Sequence, residues 1–253
     1  MPDYNYVIFN DLILLDEPID YLMDILSNKK LDAASYIVTP NVDHFFRLSQ
    51  GESRLFLDAY DNADIRVCDS RIIKKLSLLE RKSISNVIPG SDLTRNIFES
   101  SWIREFKILI IGSSHDQVSY IKNKYCLDHI TYFIPPIGFL NDNVAFNECV
   151  DFVSKSDADL VFLAVGSPQQ EILANAVKKR CVYEFGFTGV MLCVGASIDF
   201  LSCKTKRAPY VIQFFHLEWL HRAFQDPVRL VPRYLKNFKW VASYMVKKLK
   251  SLK

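Results

Sequence analysis

Two aspartates stand where a side chain could take part in chemistry. Asp69 directly follows the apolar run Ile65–Cys68, and Asp199 follows the glycine turn of a later run. A carboxylate at the end of a strand is well placed to act as a general base near a bound ligand. Asp is also a favoured helix N-cap, and position alone favours that simpler interpretation of Asp69. Asp199 could likewise be a cap or turn residue, or it could accept a hydrogen bond from a nucleoside.

Gln170 is a further candidate, in the sequence GSPQQE at 166–171. Pro168 suits the first position of a helix, where its missing N–H leaves no hydrogen bond unmade. Gln170 could hydrogen-bond a sugar or a base, although a glutamine in the first turn of a helix more often points to solvent. Glu171 could simply complement the helix dipole.

Three apolar runs end in a glycine turn that opens a predicted helix, at Gly112, Gly166 and Gly195. Each glycine lets the chain turn tightly, and the helix N-terminus beyond it would offer unpaired N–H groups to a phosphate. One such turn is weak evidence, but three in one chain place a ligand at the carboxyl ends of a sheet. The dinucleotide fingerprint GxGxxG and the P-loop motif are both missing.

Thr39 and Asn41 form another polar cluster after a predicted strand, and they should lie at the same edge as the glycine turns. Arginines near the C-terminus could neutralise a pyrophosphate, because guanidinium groups match phosphate oxygens. Surface arginines need no such role, so their spacing alone is weak evidence. The arginines in question are Arg207, Arg222, Arg229 and Arg233.

The elements that would position these residues alternate between strand and helix. This alternation predicts an α/β fold with a mostly parallel sheet covered by helices on both faces. The predicted strands are Tyr6–Phe9, Tyr36–Thr39, Ile65–Cys68, Lys107–Ile111, Ile130–Ile134, Leu160–Val165 and Met191–Val194. The predicted helices are Pro18–Ser27, Val42–Gln50, Glu52–Tyr60, Arg71–Leu79, Leu93–Trp102, Gln117–Tyr125, Ala145–Lys155, Gln169–Lys179 and Phe215–Phe224.

Length and composition suit one large α/β domain, or one domain with an appendage. The chain has 253 residues, of which 49% are hydrophobic and 24% are charged, which is ordinary for a globular protein. None of its six cysteines forms a CxxC pair, and no His/Cys cluster has the spacing of metal ligands. No signal peptide and no membrane-spanning apolar run are evident, which predicts a reduced, cytoplasmic protein.

The charge is concentrated at the C-terminus. Residues 229–253 contain eight Lys or Arg and no acid, so the remainder holds 23 basic and 29 acidic residues, a net charge of −6. The tail is therefore expected to meet an anionic partner such as a lipid surface. A nucleic-acid binder would need its basic residues on the folded domain, so no nucleic acid is expected.

The tail itself predicts an amphipathic helix from Tyr234 to Leu249. Such a helix suits the headgroup region of an anionic bilayer, and equally a helix packed on the domain with a solvated basic face. Pro227 and Pro232, which flank Arg229, are expected to separate this helix from the one before it. The predicted apolar stripe consists of Leu235, Phe238, Val241, Ala242, Met245 and Leu249.

As a set, the motifs resemble the WecG/TagA/CpsF family of bacterial glycosyltransferases. GSPQQE and the series RAP, EWLHR and DPVR are the specific parts of this resemblance. The matching stretches, in family order, are TPN (39–41), VCDS (67–70), PGSDL (89–93), IIGSS (110–114), IGF (137–139), GSPQQE (166–171), VGASIDF (194–200), KRAP (206–209), LEWLHR (217–222) and DPVRLVPRYL (226–235).

The resemblance implies a Rossmann-like core over residues 1–205 and a helical basic appendage over 206–253. It implies an inverting enzyme that moves a sugar from a UDP-sugar to a polyprenyl-diphosphate-linked saccharide for teichoic acid, common antigen, capsule or exopolysaccharide. The donor sugar would be N-acetylmannosamine, its uronic acid, or a related hexose or uronic acid. No cofactor and no metal are expected. The protein would be peripheral on the inner face of the bacterial cell membrane, with homo-oligomerisation left open.

The resemblance also assigns roles to individual residues. The family's catalytic base falls on Asp69, and its appendage arginines, which close over the UDP pyrophosphate, fall most clearly on Arg222 and Arg229. The predicted substrate-binding residues are Thr39, Asn41, Gly112, Gly138, Gly166, Gln170, Gly195, Asp199, Arg207, Arg222, Arg229 and Arg233.

The chain departs from the family pattern at a few positions. Ser70 stands where glycine is usual, Val87 where arginine is frequent, and Pro232 near an expected arginine, with Arg233 beside it. The departures at Ser70 and Val87 keep open the alternative of a non-catalytic nucleotide-binding protein whose basic tail meets an anionic partner. A nicotinamide-dependent oxidoreductase is disfavoured, because GxGxxG is absent and no acid is placed for a ribose.

Overall fold

The computed structural model has an α/β architecture and describes residues 4–183, 186–204, 223–224 and 226–251. Its strands are β1 (Tyr6–Phe9), β2 (Leu12–Leu15), β3 (Tyr36–Val38), β4 (Ile65–Arg66), β5 (Ile108–Ile111), β6 (Ile130–Phe133), β7 (Leu160–Leu163) and β8 (Val190–Cys193). Its helices are α1 (Ile19–Ser27), α2 (Val42–Gln50), α3 (Arg54–Asp61), α4 (Arg71–Ser77), α5 (Gly90–Glu99), α6 (His115–Tyr125), α7 (Asn143–Ser154), α8 (Gln169–Tyr183), α9 (Ser197–Leu201) and α10 (Pro227–Ser251). Short 3-10 helices span Ser101–Glu105 and Phe139–Asn141.

Six of the strands form one parallel sheet in the order β4-β3-β8-β7-β5-β6. Successive strand residues face opposite sides of the sheet. Leu109 and Ile111 therefore pack with residues of α2, α3, α7 and α8, whereas Ile110 packs with α1, α5, α6 and α9. The inner strands β3, β8, β7 and β5 are buried throughout because both faces are covered, whereas the edge strands β4 and β6 are only partly buried. The predicted parallel sheet with helices on both faces is confirmed.

The two remaining strands form a hairpin that the sequence pattern does not predict. β1 and β2 pair antiparallel around Asn10 and Asp11, whose φ angles are 47° and 65°. A two-residue turn with two positive φ angles matches the twist of paired strands, and Asn and Asp tolerate that conformation. A parallel bridge between Leu15 and Val67 joins the hairpin to the end of β4. The available signal was an Asn-Asp pair between two apolar runs.

The C-terminal helix is longer than predicted. α10 begins at Pro227, one of the two prolines expected to separate it from the preceding helix, but it contains Pro232, so the predicted break at Pro232 is wrong. A proline inside a helix removes one backbone hydrogen bond, but packing of a helix face on the core can outweigh local preference. Leu230 and Tyr244 of α10 are both buried. Within the described residues, no helix is both long and apolar enough to cross a bilayer.

The face of α10 that meets the core is aromatic and partly polar. Trp240 stacks on Phe45 with ring centroids 6.5 Å apart, and Tyr244 lies 5.2 Å from the ring of Phe9. Of the predicted apolar stripe, only Val241 packs against the core. The stripe therefore does not form the inward face of the helix. Its exposed members are Leu235, Phe238, Ala242, Met245 and Leu249.

Gly112, at the end of β5, is required by both conformation and space. Its φ is +97°, and a Cβ there would lie 2.7 Å from Cγ1 of Val165 and 3.1 Å from the Val165 nitrogen. Gly138 has a φ of +80° but no atom within 4 Å of such a Cβ. A comparison of alanine substitutions at these two glycines therefore separates the effect of backbone strain from that of a steric clash.

Gly112→Ala should destabilise the protein more than Gly138→Ala. A left-handed non-glycine residue costs roughly 1–2 kcal/mol at either position. Overpacking against Val165 should add roughly 1–3 kcal/mol in Gly112→Ala alone. Urea unfolding of both variants and the wild type measures the difference, and equal losses would show that the contact with Val165 is relieved without cost.

Candidate active site

Asp69 lies just beyond β4, half-buried, at the carboxyl edge of the sheet. Its Oδ1 accepts a hydrogen bond from the Gly90 N–H at 3.2 Å, and its own N–H donates to the Pro40 carbonyl at 3.0 Å. Ser70 is the N-cap of α4, because its Oγ accepts from the Ile73 N–H at 3.3 Å. The interpretation of Asp69 as a helix cap is therefore wrong. Its carboxylate instead faces the start of α5.

Gly90 allows α5 to begin close to the ends of two strands. A Cβ at Gly90 would lie 3.2 Å from Oγ1 of Thr39 and 3.5 Å from Oγ of Ser197. α5 thus starts at Gly90, earlier than the predicted Leu93. The sequence reasoning named PGSDL as a motif but did not include Gly90 among the site residues.

The segment before Gly90 is held in place by Asp16. The buried Asp16 carboxylate accepts hydrogen bonds from the backbone N–H groups of Ser85 and Asn86 at 2.7–3.0 Å. The Ile88 N–H then donates to the Cys68 carbonyl at 2.7 Å. These bonds hold residues 85–88, which lead into α5, alongside the end of β4. They thereby place Gly90 next to Asp69.

Thr39 and Asn41 follow β3 at the same edge, as predicted. Thr39 Oγ1 is buried and donates to the Cys193 carbonyl at 3.2 Å, which ties the end of β3 to the end of β8. Asn41 is the N-cap of α2, and its side chain accepts from the Asp43 N–H at 3.0 Å. The Asn41 N–H donates to Nδ1 of His44 at 3.1 Å. Contact of Thr39 and Asn41 with a substrate stays a prediction.

Gln170 is buried, only 3% exposed, so the alternative that it points to solvent is wrong. Its Oε1 accepts from the Gly195 N–H at 2.8 Å, and its Nε2 donates to Oε1 of Glu171 at 2.8 Å. Gln170 therefore holds the turn after β8, and the Gly195 N–H already has a partner. Direct contact of Gln170 with a ligand stays a prediction.

His44 and Glu171 form a buried pair beneath this edge, with Nε2 and Oε1 3.8 Å apart. Burial lowers the pKa of His44 to about 3, and the charges of Arg233 and Arg47 add to this effect. Burial also raises the pKa of Glu171, against the lowering effect of the hydrogen bond from Gln170. His44 is therefore neutral at pH 7. Since its Nδ1 accepts the Asn41 N–H, its proton is on Nε2, which faces Glu171.

Arg47 of α2 holds the turn that follows β7. Its Nη1 donates to Oγ of Ser167 at 3.2 Å, its Nε pairs with Glu52 at 2.7 Å, and its guanidinium lies 4.7 Å from the centre of the Phe56 ring. Gly166 in this turn has a φ of +79° and open space around its Cα. The turn is thus anchored beside Gly166, which is partly buried but has room for a further atom among the described residues.

Asp199 lies in the first turn of α9, where its Oδ1 accepts from Nε2 of Gln117 at 2.7 Å and lies 3.6 Å from Nζ of Lys204. Gln117 also forms a capping box with Ser114 at the start of α6. The N–H groups at this helix start are therefore partly satisfied within the chain. A bond from Asp199 to a nucleoside stays a prediction.

The predicted arginines are only partly described by the structure. Nη2 of Arg233 pairs with Oδ2 of Asp43 at 2.8 Å, so Arg233 joins α10 to α2. Arg229 lies in the second position after the start of α10, and only its backbone is described. Arg207 and Arg222 lie outside the described residues, as does the predicted domain boundary at 205–206.

Two further positions singled out in the sequence are not part of this cluster. Gly138 follows β6, the strand at the far edge of the sheet from Asp69, and its φ is +80°. Val87, where arginine is frequent in the family pattern, is partly buried and packs against the core. The structure therefore brings together Thr39, Asn41, Asp69, Gln170 and Gly195, and it leaves Gly138 outside that group.

The fold is that of a Rossmann-like α/β protein, and the cluster is a candidate ligand site at the carboxyl ends of its parallel strands. The sequence model described as the Glycosyl transferase WecG/TagA/CpsF family matches residues 10–253. The chain belongs to this family, and it is a glycosyltransferase.

Curated relatives agree with this assignment. A protein of Bacillus spizizenii is 25% identical over 237 residues, which cover 89% of this chain and 88% of the relative. A protein of Staphylococcus aureus strain MW2 is 24% identical over 179 residues, 69% of this chain and 66% of the relative. Both are named N-acetylglucosaminyldiphosphoundecaprenol N-acetyl-beta-D-mannosaminyltransferase.

As the pH is lowered, the free energy of unfolding of His44→Gln should fall less steeply than that of the wild type. The unfolded chain protonates His44 near its ordinary pKa of 6.5, whereas the folded chain does so only near 3. Between these values the unfolded state binds more protons, so the free energy of unfolding falls as pH falls, by up to about 1.4 kcal/mol per pH unit from this group. Glutamine does not titrate and removes this contribution.

Urea unfolding of wild type and His44→Gln at several pH values across that window measures the two slopes. Glu171 acts in the opposite sense, because its pKa is raised, but it is present in both proteins. Identical slopes would mean that His44 titrates normally in the folded protein.

Proposed function

We propose that this glycosyltransferase is an inverting enzyme that moves a sugar from a UDP-sugar to a polyprenyl-diphosphate-linked saccharide. The observation that carries the proposal is the Asp69 carboxylate, which accepts a hydrogen bond from the Gly90 N–H at the carboxyl edge of the sheet, while Ser70 is the N-cap of α4. The names of the two relatives support a diphosphoundecaprenol-linked acceptor and N-acetylmannosamine as the transferred sugar.

In the proposed reaction Asp69 removes the proton from the acceptor hydroxyl as its oxygen attacks the anomeric carbon of the donor. The new glycosidic bond forms while the bond from that carbon to UDP breaks, and UDP leaves with its electron pair. A single displacement of this kind inverts the anomeric carbon. The hydrogen bond from Gly90 keeps the base in one orientation, which lowers the entropy lost on reaching the transition state.

UDP would lie across the carboxyl ends of the strands, near Thr39, Asn41 and the open turn at Gly166. Charge develops on UDP as it leaves, and cationic groups aimed at that charge lower the barrier. We assign this role to Arg222 and Arg229. The pair between Arg233 and Asp43 supports the assignment, because it holds the early part of α10 against the start of α2, where Asn41 lies.

Asp69→Asn should reduce transfer by at least roughly a hundredfold while UDP binding survives, because the amide cannot accept the proton. Transfer is measured with a UDP-sugar and a lipid-linked acceptor, and UDP affinity by calorimetry. Asp61→Asn is the matched control, because it is the same substitution at an exposed residue at the end of α3. Near wild-type transfer by Asp69→Asn would show that Asp69 is not the base.

α10 would bring the site to the membrane that holds the acceptor. Leu235 and Phe238 are 59% and 71% exposed. The neighbouring Lys236 and Lys239 are exposed as well. Apolar side chains beside lysines on one helix suit the interface of an anionic bilayer. We therefore propose peripheral attachment through this surface of α10, on the cytoplasmic side of the bacterial membrane.

Leu235→Glu with Phe238→Glu should reduce binding to anionic vesicles by at least roughly tenfold, because both apolar side chains leave the bilayer and two acids enter its negative field. Deleting the helix is a poorer test, because Trp240 and Tyr244 would leave the core with it. Val182→Glu adds an acid at an exposed site on α8 and should leave binding unchanged. Unchanged sedimentation of the double variant with vesicles would refute this role of α10.

A further inference from the structure

We propose that His44 and Glu171 are positioning residues that hold the two sides of the donor site in a fixed relation. Neither residue is a predicted site residue, and neither lies in the exposed part of the site. The inference rests on the proposed function in one respect, namely that the ligand between the two sides is the UDP moiety of the donor.

A continuous series of polar contacts runs beneath the site. The Asn41 N–H donates to Nδ1 of His44 at 3.1 Å, and Nε2 of His44 faces Oε1 of Glu171 at 3.8 Å. The same Glu171 oxygen accepts from Nε2 of Gln170 at 2.8 Å, and Oε1 of Gln170 accepts from the Gly195 N–H at 2.8 Å. The series therefore joins the start of α2, after β3, to the turn after β8.

Glu171 decides which way the Gln170 carboxamide points. A carboxylate only accepts hydrogen bonds, so the NH₂ end of Gln170 must face Glu171. The carbonyl end of Gln170 is then directed at the Gly195 N–H. With the carboxamide reversed, an oxygen would meet the carboxylate and an NH₂ would meet the Gly195 N–H, which leaves buried groups without partners. The conformation of the Gly195 turn thus depends on an acceptor at position 171.

His44 acts on the other side of the same carboxylate. Its ring caps the Asn41 N–H and presents its own N–H to Glu171, which sets the distance between α2 and α8 at this edge. Asn41 and its neighbour Thr39 belong to the predicted substrate-binding set. A substitution of Glu171 should therefore alter the position of Asn41 through His44, and the conformation of the Gly195 turn through Gln170.

Stability alone does not account for a carboxylate at this position. Glu171 is 1% exposed, and its second oxygen, Oε2, is buried without a hydrogen-bond partner. A buried acceptor without a partner destabilises a fold, and burying a carboxylate has a desolvation cost that its polar contacts often do no more than offset. A methionine of similar size should thus fill the same space while removing the acceptor that orients Gln170, at a cost of roughly 1–3 kcal/mol for the buried Gln170 NH₂ group left without a partner.

The test compares Glu171→Met with Glu171→Gln in the full chain. Glutamine keeps an oxygen that can accept from Gln170, whereas methionine does not. At temperatures where the variant is fully folded, we expect Glu171→Met to weaken UDP binding roughly tenfold and to raise the KM for the donor more than it lowers kcat. Glu171→Gln should bind UDP within about twofold of wild type.

His44→Asn tests the other link. Asn retains an acceptor near the position of Nδ1 for the Asn41 N–H but lacks a donor toward Glu171. It should weaken UDP binding less than Glu171→Met does. Because His44 acts through Glu171, the double variant should bind UDP no more weakly than Glu171→Met alone. Fully additive losses in the double variant would overturn the role of His44.

Three results would overturn the role of Glu171. Glu171→Met could bind UDP as tightly as wild type, Glu171→Gln could be as impaired as Glu171→Met, or the loss of binding could merely follow a lowered Tm. A wild-type protein that binds no UDP would instead refute the proposed function, and this inference with it. The wild-type measurement therefore separates failure of the proposed function from failure of the inference alone.

Discussion

Buried polar side chains join the carboxyl ends of neighbouring strands, and the candidate site depends on these bonds. Thr39 ties the end of β3 to the Cys193 carbonyl, and Gln170 ties the start of α8 to the Gly195 N–H after β8. Each buried group left without its partner would cost roughly 1–3 kcal/mol, so the loops at this edge cannot shift independently. The ends of β3 and β8 and the start of α8, beside which we place UDP, are consequently held in one arrangement.

At this edge, the adjacent residues Asp69 and Ser70 have different roles. Ser70 caps α4, and that leaves the Asp69 carboxylate to meet the Gly90 N–H. The departure from glycine at Ser70 thus serves the helix and does not displace the proposed base. Val87, the other departure near Asp69, packs on the core. The architecture around the base is therefore compatible with catalysis at both departures.

α10 shows why a hydrophobic pattern alone can mislead. The periodicity correctly predicts a helix and an apolar stripe, but it does not say which face meets the core. Trp240 and Tyr244 carry polar groups, yet their rings fill the space beside Phe45 and Phe9. The more apolar side chains Leu235 and Phe238 are left exposed. That choice depends on the shape of the core surface, to which residues distant in the sequence contribute.

The sequence by itself determined the parallel sheet, the order of its helices, the edge that carries Thr39, Asn41 and Asp69, and the family. These features follow from local signals: apolar runs buried on both faces, turn residues after strands, and short motifs. Only the tertiary structure decided that Gln170 is buried and that Glu171 meets His44. Those partners lie on different elements, and their contact depends on how helices pack against the sheet, which no local pattern encodes.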